Sequence, residues 1–441
     1  MRGDPVAQED TTMALRLLAK TYWSGSWVRF REPVQDFAAC EQVTLYGHDH
    51  TQVRGLFWRP TRNPRAKVAV IAAHPRGDFS QHYAFPALLR AGYVCMGANL
   101  RNTNNDSTCV HELLLLDLAA YMVWLREQGV EKVVWLGNSG GGSLGGFYQW
   151  QAKTAPAARI SHTPAGRPVP LAQVNMPPVD AFMISAAHVG QGLIMNDIID
   201  PSVLDEQNPL LVDDALDMYN PDNGFRPAPQ WSRYTPEFLQ RYRAAQIARV
   251  ARIDARARAI VADQMQAEAL RGESGFADLP ARGQRAVNRR AAFQPVMTVY
   301  RTMANPNYVD DTLDPSNRGY GCLLSDLPDL MNYQLYGFGR IVTPDAWLST
   351  WSGLSSNANF LQAGRSIDEP LALVQAGRDL DVYPQRHGQA ILDTVRSTDK
   401  TLFDFPDCLH YFEPDEGEDP NAPVLRQMGV LVPWLQQRLP L

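Results

Sequence analysis

The pentapeptide Gly137-Asn138-Ser139-Gly140-Gly141 sets one serine among glycines, directly after the apolar run Val133-Val134-Trp135-Leu136 and before a helical stretch. A serine in such a G-x-S-x-G turn from strand to helix has its hydroxyl lifted out of the backbone. Its neighbours must be tiny because strand and helix approach closely there. The N-terminus of the following helix would lie beneath an anion forming on an attacked carbonyl. These residue types suit nucleophilic attack by Ser139. A glycine-rich turn without chemistry is the plain alternative. A phosphate loop is excluded, because no Gly-Lys-Ser/Thr follows the glycines.

An attacking serine needs a base, and the base needs a carboxylate to orient it. With the nucleophile on a strand–helix turn, these partners come later, in the order Ser, Asp/Glu, His. Two late histidines are available, His387 and His410. His387 falls in the helical stretch after "RDLDVYP", where a solvated side chain is expected. His410 lies in "FPDCLHYFEP", a loop after the last strand at the C-terminal end of the sheet, where ligands gather. It is the preferred base. The acid is Asp379 or Asp381: Asp379 comes directly off a strand and is preferred, whereas Asp381 would otherwise cap the next helix. The oxyanion requires two backbone N–H groups. Gly140 supplies one and Arg76, in "AHPRGDF", the other, since Pro75 has none to give.

The elements that must hold these residues are legible as alternating patterns. After an N-terminal helix over residues 8–20, "EQVTLYGHDHTQVRGLFWRP" reads as two strands joined by a polar turn. Continuous apolar strands then alternate with helices through "AKVAVIAAHPRG", "PALLRAGYVCMGANLR", "VHELLLLDLAAYMVWLREQG" and "VDAFMISAAHVG". This predicts an α/β fold, a mostly parallel sheet covered by helices on both faces. Alternation stops over residues 191–365 and returns with "EPLALVQAGRD". The expected organisation is an N-terminal extension (1–35), an α/β core in two parts (36–190 and 366–441) and a large, mainly helical insertion (191–365). Residues 154–178 form a smaller Pro-rich excursion.

Composition narrows the function classes. The formal net charge of −6 leaves no electrostatic footprint for nucleic acid or an anionic membrane. Five dispersed cysteines without C-x-x-C spacing suggest reduced thiols and no zinc site. The N-terminus lacks an apolar signal core, so a cytoplasmic location is expected. Lysine occurs only five times among 41 basic residues, an arginine bias that fits a GC-rich bacterial genome. The expected partner is a small-molecule substrate, and a homo-oligomer is left open.

These pieces together resemble the α/β-hydrolase fold family over residues 36–190 and 366–441. The hairpin "EQVTLYGHDHTQVRGLFWRP" opens it, "HPRG" stands where the family usually has His-Gly, and "GNSGG" is the elbow. "RDLDVYP" is the acid turn and "CLHYF" the histidine loop. Two departures stand out: Pro75 replaces the usual glycine, and Ala376 stands where a glycine commonly precedes the acid by three. The resemblance implies a cofactor-independent hydrolase with Ser139, Asp379 and His410 as triad and the insertion as a cap domain. Hydrolysis of a carboxylic ester through an acyl-enzyme is expected. C–C bond (diketone) or thioester hydrolysis on the same triad is the alternative, and a catalytically inactive binding protein a further one. The cap is aromatic, and Tyr333, Tyr336 and Trp351, near the return to the core, are expected to line a pocket for a medium-to-large apolar or aromatic substrate.

Overall fold

The apolar runs pair into one eight-stranded sheet. In this computed structural model, which describes residues 27–441, the helix expected over 8–20 lies outside the described residues. The strands are β1 (Ala38–Tyr46), β2 (Gln52–Pro60), β3 (Val68–Ala73), β4 (Val94–Ala98), β5 (Lys132–Asn138), β6 (Ala181–Ser185), β7 (Leu371–Ala376) and β8 (Lys400–Phe405). They lie in the order β1-β2-β4-β3-β5-β6-β7-β8. Pairs β1–β2 and β2–β4 are antiparallel and all the others parallel.

The continuous apolar strands are buried on both faces. Ala69, Ile71, Val133 and Trp135 pack against α2 (His111–Glu127) and α3 (Gly140–Lys153). Val68, Val70, Val134 and Leu136 point the other way, towards α1 (Phe85–Arg90) and the C-terminal helix. Such two-sided burial is what a parallel sheet with crossover helices requires. Between α3 and β6, residues 154–178 run as a loop pinned by Arg159, whose guanidinium donates to the carbonyls of Gln151 at 2.9 Å and Leu171 at 3.0 Å.

Between β6 and β7 the chain leaves the sheet and builds a separate apolar core. It begins with α4 (Gln191–Ile198) and contains the 37-residue α5 (Pro236–Gly272) and α6 (Ala281–Ala292). α5 starts cleanly: the Thr235 hydroxyl accepts from the Phe238 N–H at 3.2 Å, with Pro236 in the first turn. Its buried side chains Phe238, Tyr242, Gln246, Arg249, Val250, Ile253 and Ala257 recur at helical spacing, so one stripe is covered and the rest is wet. From 293 to 366 the chain runs mainly as turns and single helical turns rather than long helices. The core then resumes with β7, the short α7 (Gln389–Thr394), β8 and α8 (Ala422–Arg438). Among the described residues, no helix is long and apolar enough to cross a membrane.

Candidate active site

Ser139 sits between β5 and α3 at φ 53°, ψ −124°, a conformation that a non-glycine residue adopts only when its surroundings impose it. The surroundings are visible. The Ser139 N–H donates to the Ser185 carbonyl at 3.2 Å, and the Asn138 amide donates to the same carbonyl at 2.9 Å. The other end of that amide accepts from the Tyr83 hydroxyl at 3.1 Å. Close approach dictates the glycines: a Cβ on Gly141 would lie 2.6 Å from the Ala73 carbonyl oxygen, and one on Gly137 2.9 Å from Gly142 Cα. The turn is therefore clamped between β3, β5 and β6, and Ser139 is nearly buried.

The expected acid and base meet. Asp379, just beyond β7, places Oδ2 2.5 Å from His410 Nδ1, and both side chains are buried. Its Oδ1 accepts from the N–H groups of Asp381 and Val382, each at 2.9 Å, which fixes the carboxylate rotamer. The two loops are tied together where parallel pairing ends: the Gly377 N–H donates to the Phe405 carbonyl and the Arg378 N–H to that of Cys408, both at 2.9 Å. Burial alone would depress the His410 imidazole, but the Asp379 carboxylate overrides it and the net shift is upward.

Asp381 does not cap a helix; the turn starting at Pro384 carries no side-chain cap. It is buried instead, facing Tyr308 of the insertion. Burial and the adjacent Asp379 charge push its carboxyl up to about 7. Between about pH 4 and 7 the folded protein thus holds a proton that the unfolded chain has released, so stability falls as pH rises through that window. Asp381→Asn should melt with the wild type near pH 4 and above it at pH 8. Equal shifts at both pH values in thermal melts would contradict this environment. His387 also departs from expectation: it is buried, not solvated, and burial pushes its pKa down to about 4. The insertion packing on this edge removed the solvent.

The expected oxyanion loop is arranged differently from the sequence reading. The Arg76 N–H does not face the serine; it donates to His74 Nδ1 at 3.1 Å, and the Gly77 N–H joins it at 2.7 Å. Gly140 remains at the first turn of α3, directly after Ser139. A Cβ on Gly140 would lie 3.0 Å from His74 Nε2 and 3.3 Å from Gln191 Nε2. His410 is among the charges acting on His74, so elbow, oxyanion loop and histidine loop converge at one edge of the sheet. Sequence reasoning missed His74, Gln191 and His188. His188 is buried just beyond β6, with Nδ1 accepting from the Gly190 N–H at 3.2 Å.

The insertion lies over this edge. The buried Arg76 guanidinium packs against the Trp351 ring at 4.8 Å and the Phe338 ring at 5.4 Å, two rings that stack on each other, and pairs with Asp106 at 3.0 Å. Beside it opens a cavity of about 530 Å³, lined by Arg76, Asn104, Leu335, Tyr336, Arg340 and Ile341 among others. The three aromatic residues expected in the pocket separate here. Tyr336 lines this cavity, Trp351 is buried behind Arg76, and Tyr333 lies over the Arg301 guanidinium at 4.6 Å, half-exposed and away from the cavity wall.

No family model matches the chain, and no curated protein matches it. Solved structures that it resembles include the hypothetical protein PA2218 from Pseudomonas aeruginosa (12% identity over 94% of this chain and 98% of that one, TM-score 0.46). The α/β hydrolase GrgF from Penicillium sp. sh18 aligns at 12% identity over 91% of this chain and 100% of that one, TM-score 0.44. The Pyrococcus furiosus esterase PF2001 aligns at 12% identity over 92% and 94%, TM-score 0.41. The fold itself is read from this chain: the sheet order, the elbow after β5 and the insertion after β6 are those of an α/β-hydrolase fold.

Proposed function

We propose that the chain is a serine hydrolase that cleaves a carboxylic ester through an acyl-enzyme on Ser139. The observation that carries this reading is the buried Asp379–His410 pair, 2.5 Å apart, at the same sheet edge as a serine held at φ 53°. In that reaction Ser139 Oγ bonds to the ester carbon while its proton passes to His410 Nε2, and Asp379 steadies the imidazolium on Nδ1. The proton then goes to the departing alkoxide, and a water repeats the sequence to release the acid. The same machinery serves a thioester or the acyl carbon of a diketone, which differ only in the leaving group. We favour an ester because it asks nothing further of the site. A small-molecule substrate with a sizeable apolar part is inferred from the apolar walls of the cavity beside Arg76, formed by Leu335, Tyr336 and Ile341, although Ser139 and His410 are not among the residues that line it. The cytoplasm is the compartment we infer from the dispersed thiols. Turnover of a panel of p-nitrophenyl esters, acyl thioesters and aryl diketones tests the assignment: ester turnover lost in Ser139→Ala supports it, and diketone cleavage alone would select the C–C reading.

Pocket residues should separate by role. Tyr336→Ala should change the ratio of kcat/KM between short and long acyl groups by roughly tenfold or more, the scale of one or two methylenes in an apolar pocket. Tyr333→Ala should leave that ratio unchanged. Trp351→Ala should cost about 3–5 kcal/mol of stability, because a fully buried ring is removed. Kinetics across an acyl-length series, alongside thermal melts, distinguish the three.

A further inference from the structure

Pro75 has no N–H, and the N–H groups of Arg76 and Gly77 are both spent on the His74 ring, at 3.1 and 2.7 Å. The loop that should offer a backbone donor to the oxyanion therefore presents an imidazole instead. Two N–H groups pointing at Nδ1 require a lone pair there, so the ring carries its proton on Nε2. Burial and the positive charge of Arg76 keep the imidazole neutral, its pKa held well below the ordinary value. Nε2 makes no hydrogen bond to a described residue. It lies beside the first residue of α3, 3.0 Å from the place a Gly140 Cβ would take. Glycine at that position is what leaves the space between the ring and the helix N-terminus open.

From this arrangement, and resting on the serine-hydrolase reading above, we propose that His74 is a catalytic residue whose Nε2–H is the second oxyanion donor, opposite the N–H of Gly140. As the Oγ–C bond forms, the carbonyl π pair moves onto oxygen, and that oxygen accepts from Gly140 N–H and His74 Nε2–H. The Ser139 proton goes to His410, so His74 keeps its own proton throughout. A neutral donor is suited to this, since its low pKa keeps the ring uncharged before attack and no proton transfer competes with the hydrogen bond. A neutral imidazole can act as an electrophile in this way. Arg76 is left to hold the loop: its backbone anchors the ring and its side chain anchors the insertion through Trp351 and Phe338.

Diethyl p-nitrophenyl phosphate tests the proposal, because it phosphorylates an activated serine once and sets a phosphoryl oxygen where the oxyanion would be. One equivalent of p-nitrophenolate from the wild type supports the serine-hydrolase reading by itself; none would remove that reading, and the proposal with it. His74→Asn keeps an acceptor oxygen near Nδ1 for the two loop N–H groups but lacks the Nε2 donor. It should phosphorylate about 10²–10³-fold more slowly, the effect of losing one oxyanion donor, with an unchanged melting temperature. A rate within threefold of wild type, in a folded variant, would overturn the assignment, as would a comparable loss in Gln191→Ala with His74→Asn unaffected. If His74→Asn does not fold, the wild type still decides through NMR of ¹⁵N-histidine protein. The His74 Nε2–H tautomer, with its proton moving downfield in the phosphoryl adduct, is expected; the Nδ1–H tautomer would overturn the proposal.

Discussion

Ser139→Ala should lose about 10⁶-fold in kcat on any ester the wild type hydrolyses, because members of a triad act as one unit and no other nucleophile replaces the hydroxyl. The fold should survive. Alanine inherits the same φ of 53°, whose cost of about 1–3 kcal/mol is already carried by the serine. The hydrogen bonds that hold the turn run through the Ser139 backbone and the Asn138 side chain, which the substitution leaves in place. Melting within a few degrees of wild type is thus expected. Ser139→Gly, equally inactive, should melt higher because glycine adopts this conformation freely. The double variant Ser139→Ala/His410→Ala should be little worse than either single one. Activity of Ser139→Ala within tenfold of wild type would remove the serine from the mechanism.

Asp379→Asn should cost on the order of 10⁴ in kcat, the loss seen when an orienting carboxylate becomes an amide. The reason is specific to this turn. Oδ1 of Asp379 is occupied by the N–H groups of Asp381 and Val382, so an asparagine would keep its oxygen there and turn its NH₂ towards His410 Nδ1. The imidazole would then have to carry its proton on Nε2, facing the serine it should deprotonate. The pH profile should change as well. In the wild type, kcat/KM should rise through an apparent pKa above about 6.5, since the Asp379 carboxylate lifts His410 despite its burial. Without that charge, burial is opposed only by the more distant Glu413 and Asp381 carboxylates, and the residual activity should titrate lower. Asp381→Asn should stay within a few-fold of wild-type kcat at pH 8. If Asp381→Asn proves the inactive variant, the acid has been misassigned.

What the sequence made legible follows from where the information is local. Buried strands such as "VAVIAA" are continuous apolar runs, and Ser139 is marked by glycines whose need arises within five residues. Asp379 and His410 could be placed because each follows a strand by a short loop. Their meeting at 2.5 Å needed only the parallel pairing of β7 with β8. Surroundings set by the insertion were not legible. His387 and Asp381 sit in polar stretches, and nothing nearby indicates that both are buried or that Tyr308 faces Asp381. The oxyanion loop was illegible for another reason: backbone position points to the Arg76 N–H, whereas that N–H is captured by a side chain two residues earlier. A signal did exist. His74 stands one residue and His188 three residues beyond a buried strand, and each accepts at Nδ1 from the N–H two residues on. That local turn fixes the tautomer of both rings.

The central claim, that one serine in this chain is chemically activated, is tested most directly by a fluorophosphonate probe with peptide mapping of the adduct. The wild type should take up one probe per chain, carried on Ser139 in the peptide spanning the elbow. Labelling should fall by orders of magnitude in His410→Ala and vanish in Ser139→Ala. An adduct mapped to another residue, or a folded wild type that stays unlabelled, would contradict the account.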